Sequence, residues 1–134
     1  MSTEKEGIIV LVSGSRYATM KDHGEIIRQT LNQVIHNGPI TLVHGGCEGV
    51  DLICDKIGKE RNWIIDARKP NWDLYGKKAG PIRNTEMLKT RPHYAFAFPK
   101  GVSAGTRDCK KKMDLYAKEI SSRLISPVIQ VELK

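Results

Sequence analysis

Cysteine is scarce in this chain, and its few copies are wrongly placed for a cross-linked or metal-stapled domain. Cys47, Cys54 and Cys109 are an odd number in 134 residues with no CxxC spacing. That argues against a disulfide framework and against structural zinc, so free thiols are expected. The histidines His23, His36, His44 and His93 form no metal-ligand spacing, and no metal is expected. Long apolar runs are also missing. Nothing approaches the roughly 18 residues of a membrane span, which excludes a membrane partner from the expectation. The opening "MSTEKEG" is polar and precedes only a short apolar run. It reads as a disordered end over residues 1–6, not as a signal peptide, and a cytoplasmic setting is expected.

Acidic side chains are outnumbered, 15 against 22 Lys and Arg, giving a net charge of +7. This balance favours anionic partners, meaning nucleic acid, nucleotides or phosphorylated metabolites. Aromatic residues make up only 6% of the chain, without the basic–aromatic interleaving of a single-strand stacking platform, so nucleic acid is the less favoured of these. Part of the basic excess, such as Lys110 to Lys112, reads as a solvated helix face.

What is present is one domain's length of regularly alternating pattern. Apolar, β-branched runs recur at "GIIVLVSGS", "ITLVH", "WIIDA", "YAFAFP" and "PVIQVEL", with helical segments between them. Asp22 and Glu25 have capping-box spacing, Ile26, Ile27, Leu31, Val34 and Ile35 fall on one face, and Gly38–Pro39 supplies a stop. A second helix is expected from about Gly49 to Asn62 with Val50, Ile53, Cys54 and Ile57 inward. A third starts near Pro81, and a fourth runs from about Ala104 to Arg123. Near-continuous apolar strands separated by helices argue for a parallel sheet covered on both faces. The expected architecture is a single α/β domain over residues 1–134, a small doubly wound Rossmann-like fold with a five-stranded parallel sheet in the order 3-2-1-4-5. The one long irregular connection is "RKPNWDLYGKKAG", Arg68 to Gly80, and such loops are often functional.

Sheets of this kind bind ligands at the carboxyl ends of their strands, where the winding reverses. Three loops rich in Gly and Ser fall there, suited to aiming backbone N–H groups at phosphate oxygens. After the first strand, Ser13, Gly14, Ser15 and Arg16 form a candidate phosphate or ribose clamp. After the second, "VHGGCEGVD" places Gly45, Gly46 and Gly49 within five residues, with Asp51 in a helix first turn. Asp51 can address a sugar hydroxyl or simply complement the helix dipole. His44 is kept as a candidate contact by position, although a packing or backbone-bonding role fits it as well. Cys47 has no histidine partner visible in sequence and is not read as a nucleophile. After the fourth strand, Gly101, Ser103, Gly105 and Thr106 form a candidate anion cradle. "GVSAG" also matches the G-x-S-x-G nucleophile elbow, but no histidine follows Ser103, as that triad order requires. Trp72 and Tyr75, in the long loop, can stack on a base or act as a hydrophobic lid.

Taken in order, "VSGSR", "HGGCEGVD", "WDLYGKKAGPIRNTEM" and "FPKGVSAGT" resemble the YspA-like branch of the SLOG superfamily, from roughly Ile9 to Ala117. That Rossmann-like group includes the cytokinin-activating LOG phosphoribohydrolases and the DNA-processing protein DprA. The resemblance implies a nucleotide or nucleotide-derived ligand, no cofactor, and a homo-oligomer, dimer or higher. It also implies a role for Arg83 and Asn84 in "YGKKAGPIRNTEM", the most specific stretch. LOG enzymes pair an Arg-containing helix with a PGGxGTxxE loop and release a base from a nucleoside 5′-monophosphate. Here Arg83 with Met87 matches the helix element, and Pro99, Gly101, Gly105 and Thr106 match the loop in part. Lys100 replaces the first loop glycine, two extra residues precede Gly105, and Cys109 stands at the glutamate position with Asp108 one residue earlier. The expected function is therefore nucleotide binding as a sensor, carrier or sequestering protein. The alternatives are an N-glycosidase using Arg83 and Asp108 as catalytic residues, and single-stranded nucleic-acid binding.

Overall fold

The computed structural model describes residues 6–101, 104–119, 124–125 and 127–134. Five strands, β1 (Ile8–Gly14), β2 (Ile40–His44), β3 (Ile64–Ala67), β4 (Tyr94–Phe98) and β5 (Ile129–Gln130), form one sheet in the order β3-β2-β1-β4-β5. Every pairing is parallel, with Val10 opposite both Leu42 and Tyr94. This is the doubly wound order expected from the alternation of apolar runs and helices.

Because side chains alternate along a strand, each strand feeds two cores. Val10, Val12, Phe96 and Phe98 face one side and pack with Ile27 and Leu31 of α1 (Met20–Leu31) and Ile53, Cys54 and Ile57 of α2 (Val50–Glu60). Leu11, Ala95 and Ala97 face the other side, against Met87 of α4 (Ala79–Leu88) and Cys109 and Met113 of α5 (Ala104–Glu119). Each fully buried Leu, Ile or Phe contributes about 1.5–3 kcal/mol relative to exposure. The two layers therefore clamp the sheet firmly. Among the described residues no helix is long and apolar enough to cross a membrane.

Several boundaries differ from the sequence reading. The first helix is capped by Thr19, whose hydroxyl accepts from the Asp22 N–H at 3.1 Å, so Asp22 lies inside the first turn. It ends at Leu31, before the apolar periodicity does. Val34 still packs on the core from the following turn, whereas Ile26 and Ile35 are exposed. The 3.6-residue stripe cannot report where the chain leaves the helix. The segment from Arg68 to Gly80 is not wholly irregular. It holds a short helix α3 (Trp72–Tyr75), capped by the Asn71 side chain, and a 3₁₀ turn over Gly76–Lys78 that runs into α4. The last strand contributes only Ile129 and Gln130 to the ladder, although the backbone N–H groups of Val131 and Leu133 still reach Ala97 and Pro99. The fourth helix, α5, is described to Glu119, and residues 120–123 lie outside the described residues.

Candidate functional site

With all strands parallel, their carboxyl ends share one edge, and β1 lies where the winding reverses between β2 and β4. The turns after β1 and β2 are knitted together there. Ser15 donates its N–H to Phe98 O, and its own carbonyl accepts from Val50 N–H, both at 3.0 Å. Next to them, the buried carboxyl of Asp51 closes the glycine turn. Its Oδ2 accepts the N–H of Gly45 at 3.1 Å and of Cys47 at 3.2 Å.

Two glycines of this turn sit against close neighbours. At Gly45 a β-carbon would meet the Arg83 guanidinium, the far end of a flexible side chain, which would have to shift. At Gly49, with φ 81°, it would lie 2.6 Å from the Arg16 backbone, in a conformation L side chains rarely adopt.

Arg83, projecting from α4, donates from Nη1 to Gly45 O at 2.6 Å and from Nε to Asn84 Oδ1 at 2.9 Å. Asn84 in turn donates to Asp108 Oδ2 at 3.0 Å, and Lys112 donates to the same oxygen at 2.8 Å. A continuous chain of hydrogen bonds thus runs from the β2 turn through α4 to α5. Among the described residues no carboxylate forms an ion pair with Arg83.

Arg83, Asn84 and Asp108 of this hydrogen-bond chain face a cleft of about 560 Å³, within the usual range for small-molecule sites. Ser13, Gly14, Arg16, Asp51, Trp72, Arg83, Asn84, Thr106 and Asp108 all line it. Its two carboxylates are held in opposite senses. Burial pushes Asp51 above the ordinary aspartate value, against the N–H groups of Cys47 and Gly45 and the charge of Arg83. Its Oδ1 has no hydrogen-bond partner among the described residues. Asp108 moves down: its partial burial works to raise it, but the bonds from Lys112 and Asn84 and nearby lysine charge outweigh that.

Other candidate residues stand behind or beside the cleft wall. Ser15 is buried, and its hydroxyl accepts from Tyr17 N–H. His44 is also buried. Its Nδ1 accepts from Gly46 N–H at 2.9 Å, which leaves the proton on Nε2 for Asp55 at 2.8 Å. His44 therefore braces the glycine turn instead of reaching the cleft. Gly45, Gly46 and Gly49 shape the turn without lining the cleft, and Tyr75 and Gly101 lie outside its wall. Gly105 falls in the first turn of α5, and Ser103 lies outside the described residues. Conversely, the wall contains Tyr17, Cys47, Lys77, Gly80 and Pro81, which motif reasoning did not assign to it. Cys47 sits inside the quoted "HGGCEGVD", Tyr17 directly follows "VSGSR", and Lys77, Gly80 and Pro81 lie inside "YGKKAGPIRNTEM". The residues that flank recognised motif positions were the available signal. Among the described residues no group of His, Cys, Asp and Glu side chains is placed to hold a metal ion.

A doubly wound α/β domain with a charged cleft at its switch point is the class that fold and site define. The chain belongs to the YspA, cpYpsA-related SLOG family, whose model matches residues 8–75. It is also similar to the Gene 61 protein of Mycobacterium phage D29, at 34% identity over 110 residues, covering 77% of this chain and 86% of the phage protein. No solved structure gives a significant match. Family membership associates the chain with nucleotide-related binding or processing.

Proposed function

We propose that the cleft binds a nucleotide or nucleotide-derived small molecule intact, so that the protein acts as a sensor, carrier or sequestering protein. One observation carries this reading. Arg83, a cation that has no carboxylate partner among the described residues, and Asp51, a buried carboxyl with one oxygen unpartnered among them, line the same cleft. An anionic group satisfies the first and a hydroxyl donor the second, and a sugar phosphate presents both. Trp72 and Tyr17, exposed rings on the cleft wall, are available to a base.

Turnover is the second reading, supported by Asp108. Its carboxylate lines the cleft and is kept ionised by Lys112 and Asn84, as stabilisation of a sugar cation requires. The test incubates the purified protein with nucleoside mono-, di- and triphosphates, NAD and ADP-ribose, and separates bound and free fractions by chromatography. One compound retained intact supports binding. Free base in excess of protein supports N-glycoside cleavage, and Asp108→Asn should then abolish turnover while leaving a binder's affinity in place. The absence of both a retained compound and free base in excess of protein overturns both readings.

A further inference from the structure

Cys47 is set apart from the other two thiols. Cys54 and Cys109 are fully buried, and burial pushes Cys54 well above its ordinary range and Cys109 up to about 11, despite the Ser13 hydroxyl beside Cys109. Cys47 is half-buried and lines the cleft. Its Sγ lies 3.8 Å from Arg83 Nη1 and 3.9 Å from Gly45 O. Asp51, only 6% exposed, lines the same cleft, and among the described residues its Oδ1 is unpartnered, while Oδ2 accepts the N–H of Cys47 itself. Of the charges on the cleft wall, Arg16, Lys77 and Arg83 outnumber Asp51 and Asp108, and Asp108 is paired with Lys112.

We infer that Cys47 is a covalent modification site that takes an anionic, low-molecular-weight disulfide, drawn to the sulfur by the Arg83 guanidinium. The thiolate of Cys47 attacks one sulfur of the disulfide. A new S–S bond to Sγ forms, the reagent's own S–S bond breaks, and the departing thiolate takes up the proton that Cys47 released. The Cys47 sulfur is oxidised to the disulfide level, and the departing sulfur is reduced to a thiol. The adduct then occupies the cleft beside Arg83, so thiol oxidation and anion binding compete for the same space. This assignment goes beyond nucleotide binding and stands on the cleft geometry alone.

The experiment treats the full chain with glutathione disulfide at neutral pH and reads intact mass and the modified peptide. A single mixed disulfide on Cys47, absent from Cys47→Ser, is expected. Alkylation by iodoacetate and by iodoacetamide then measures charge selectivity. Relative to free cysteine, Cys47 should favour the anionic reagent by about fivefold, the scale of one unit charge acting over 4 Å in water. Arg83→Gln should remove that preference. No adduct, an adduct on Cys54 or Cys109 instead, or a wild-type selectivity equal to that of free cysteine overturns the assignment. The wild-type selectivity needs no variant, so the test survives if Arg83→Gln fails to fold.

Discussion

The Arg83 guanidinium donates to the carbonyl of Gly45 across 38 positions of sequence, at 2.6 Å, and this bond fastens α4 to the glycine turn after β2. It also sets the guanidinium in the cleft that Asp51 lines, without an ion-pair partner among the described residues. Charge-assisted bonds to an anion held this way are roughly twice as strong as neutral ones. Arg83→Gln should therefore weaken a retained nucleotide by about 10- to 100-fold, measured by titration calorimetry. Equal affinity in the variant would remove the phosphate from Arg83.

Asp51 gives the fold a pH dependence of defined sign. Its carboxyl is raised by burial above the ordinary 3.8, so the folded chain binds this proton more tightly than the unfolded one. The stabilising effect is complete below that ordinary value and is lost as pH rises through the folded value. Asp51→Asn does not titrate, and in urea denaturation its stability relative to wild type should climb as pH rises above the ordinary aspartate value of 3.8. A difference that stays flat with pH would contradict the burial argument. Asp108, lowered in the folded state, runs the opposite way: its contribution is present above 3.8 and fades as pH falls through its folded value.

Two glycines form a natural control for the turn. Gly49 (φ 81°, ψ −127°) and Gly76 (φ 54°, ψ −133°) have similar backbone angles, but only Gly49 has neighbours where a β-carbon would go. Both alanine variants carry the conformational cost of about 1–3 kcal/mol. Gly49→Ala should lose a further ~1–3 kcal/mol to the collision with Ser15 and Arg16. Equal losses in chemical denaturation would mean that the β1 loop yields to the added methyl group.

Trp72 is 58% exposed on the cleft wall. If a base stacks there, Trp72→Ala should weaken a base-bearing ligand by about tenfold and leave ribose 5-phosphate unaffected. Loss of both ligands in parallel would assign Trp72 to the shape of the cleft instead.

The sequence by itself determined the architecture. Period-2 and period-3.6 apolar patterns separate strands from helices locally, and an alternation of buried strands with helices leaves few topologies once crossovers are right-handed. The glycine and serine loops after β1 and β2 could be placed at the ligand edge for the same reason. Only the tertiary structure decided which side chains converge on the cleft. His44 and Asp51 are seven positions apart in one motif, yet His44 turns back to brace Gly46 and Asp55 while Asp51 lines the cleft. Arg83 and Asn84 come from α4, Asp108 and Lys112 from α5, and the two pairs meet only because these helices pack on the same face of the sheet. Helical periodicity gives a residue's angle around its own axis. It does not give the helix's position or rotation against its neighbours, and that packing is what places Cys47 beside a cation and leaves one oxygen of Asp51 unpartnered among the described residues.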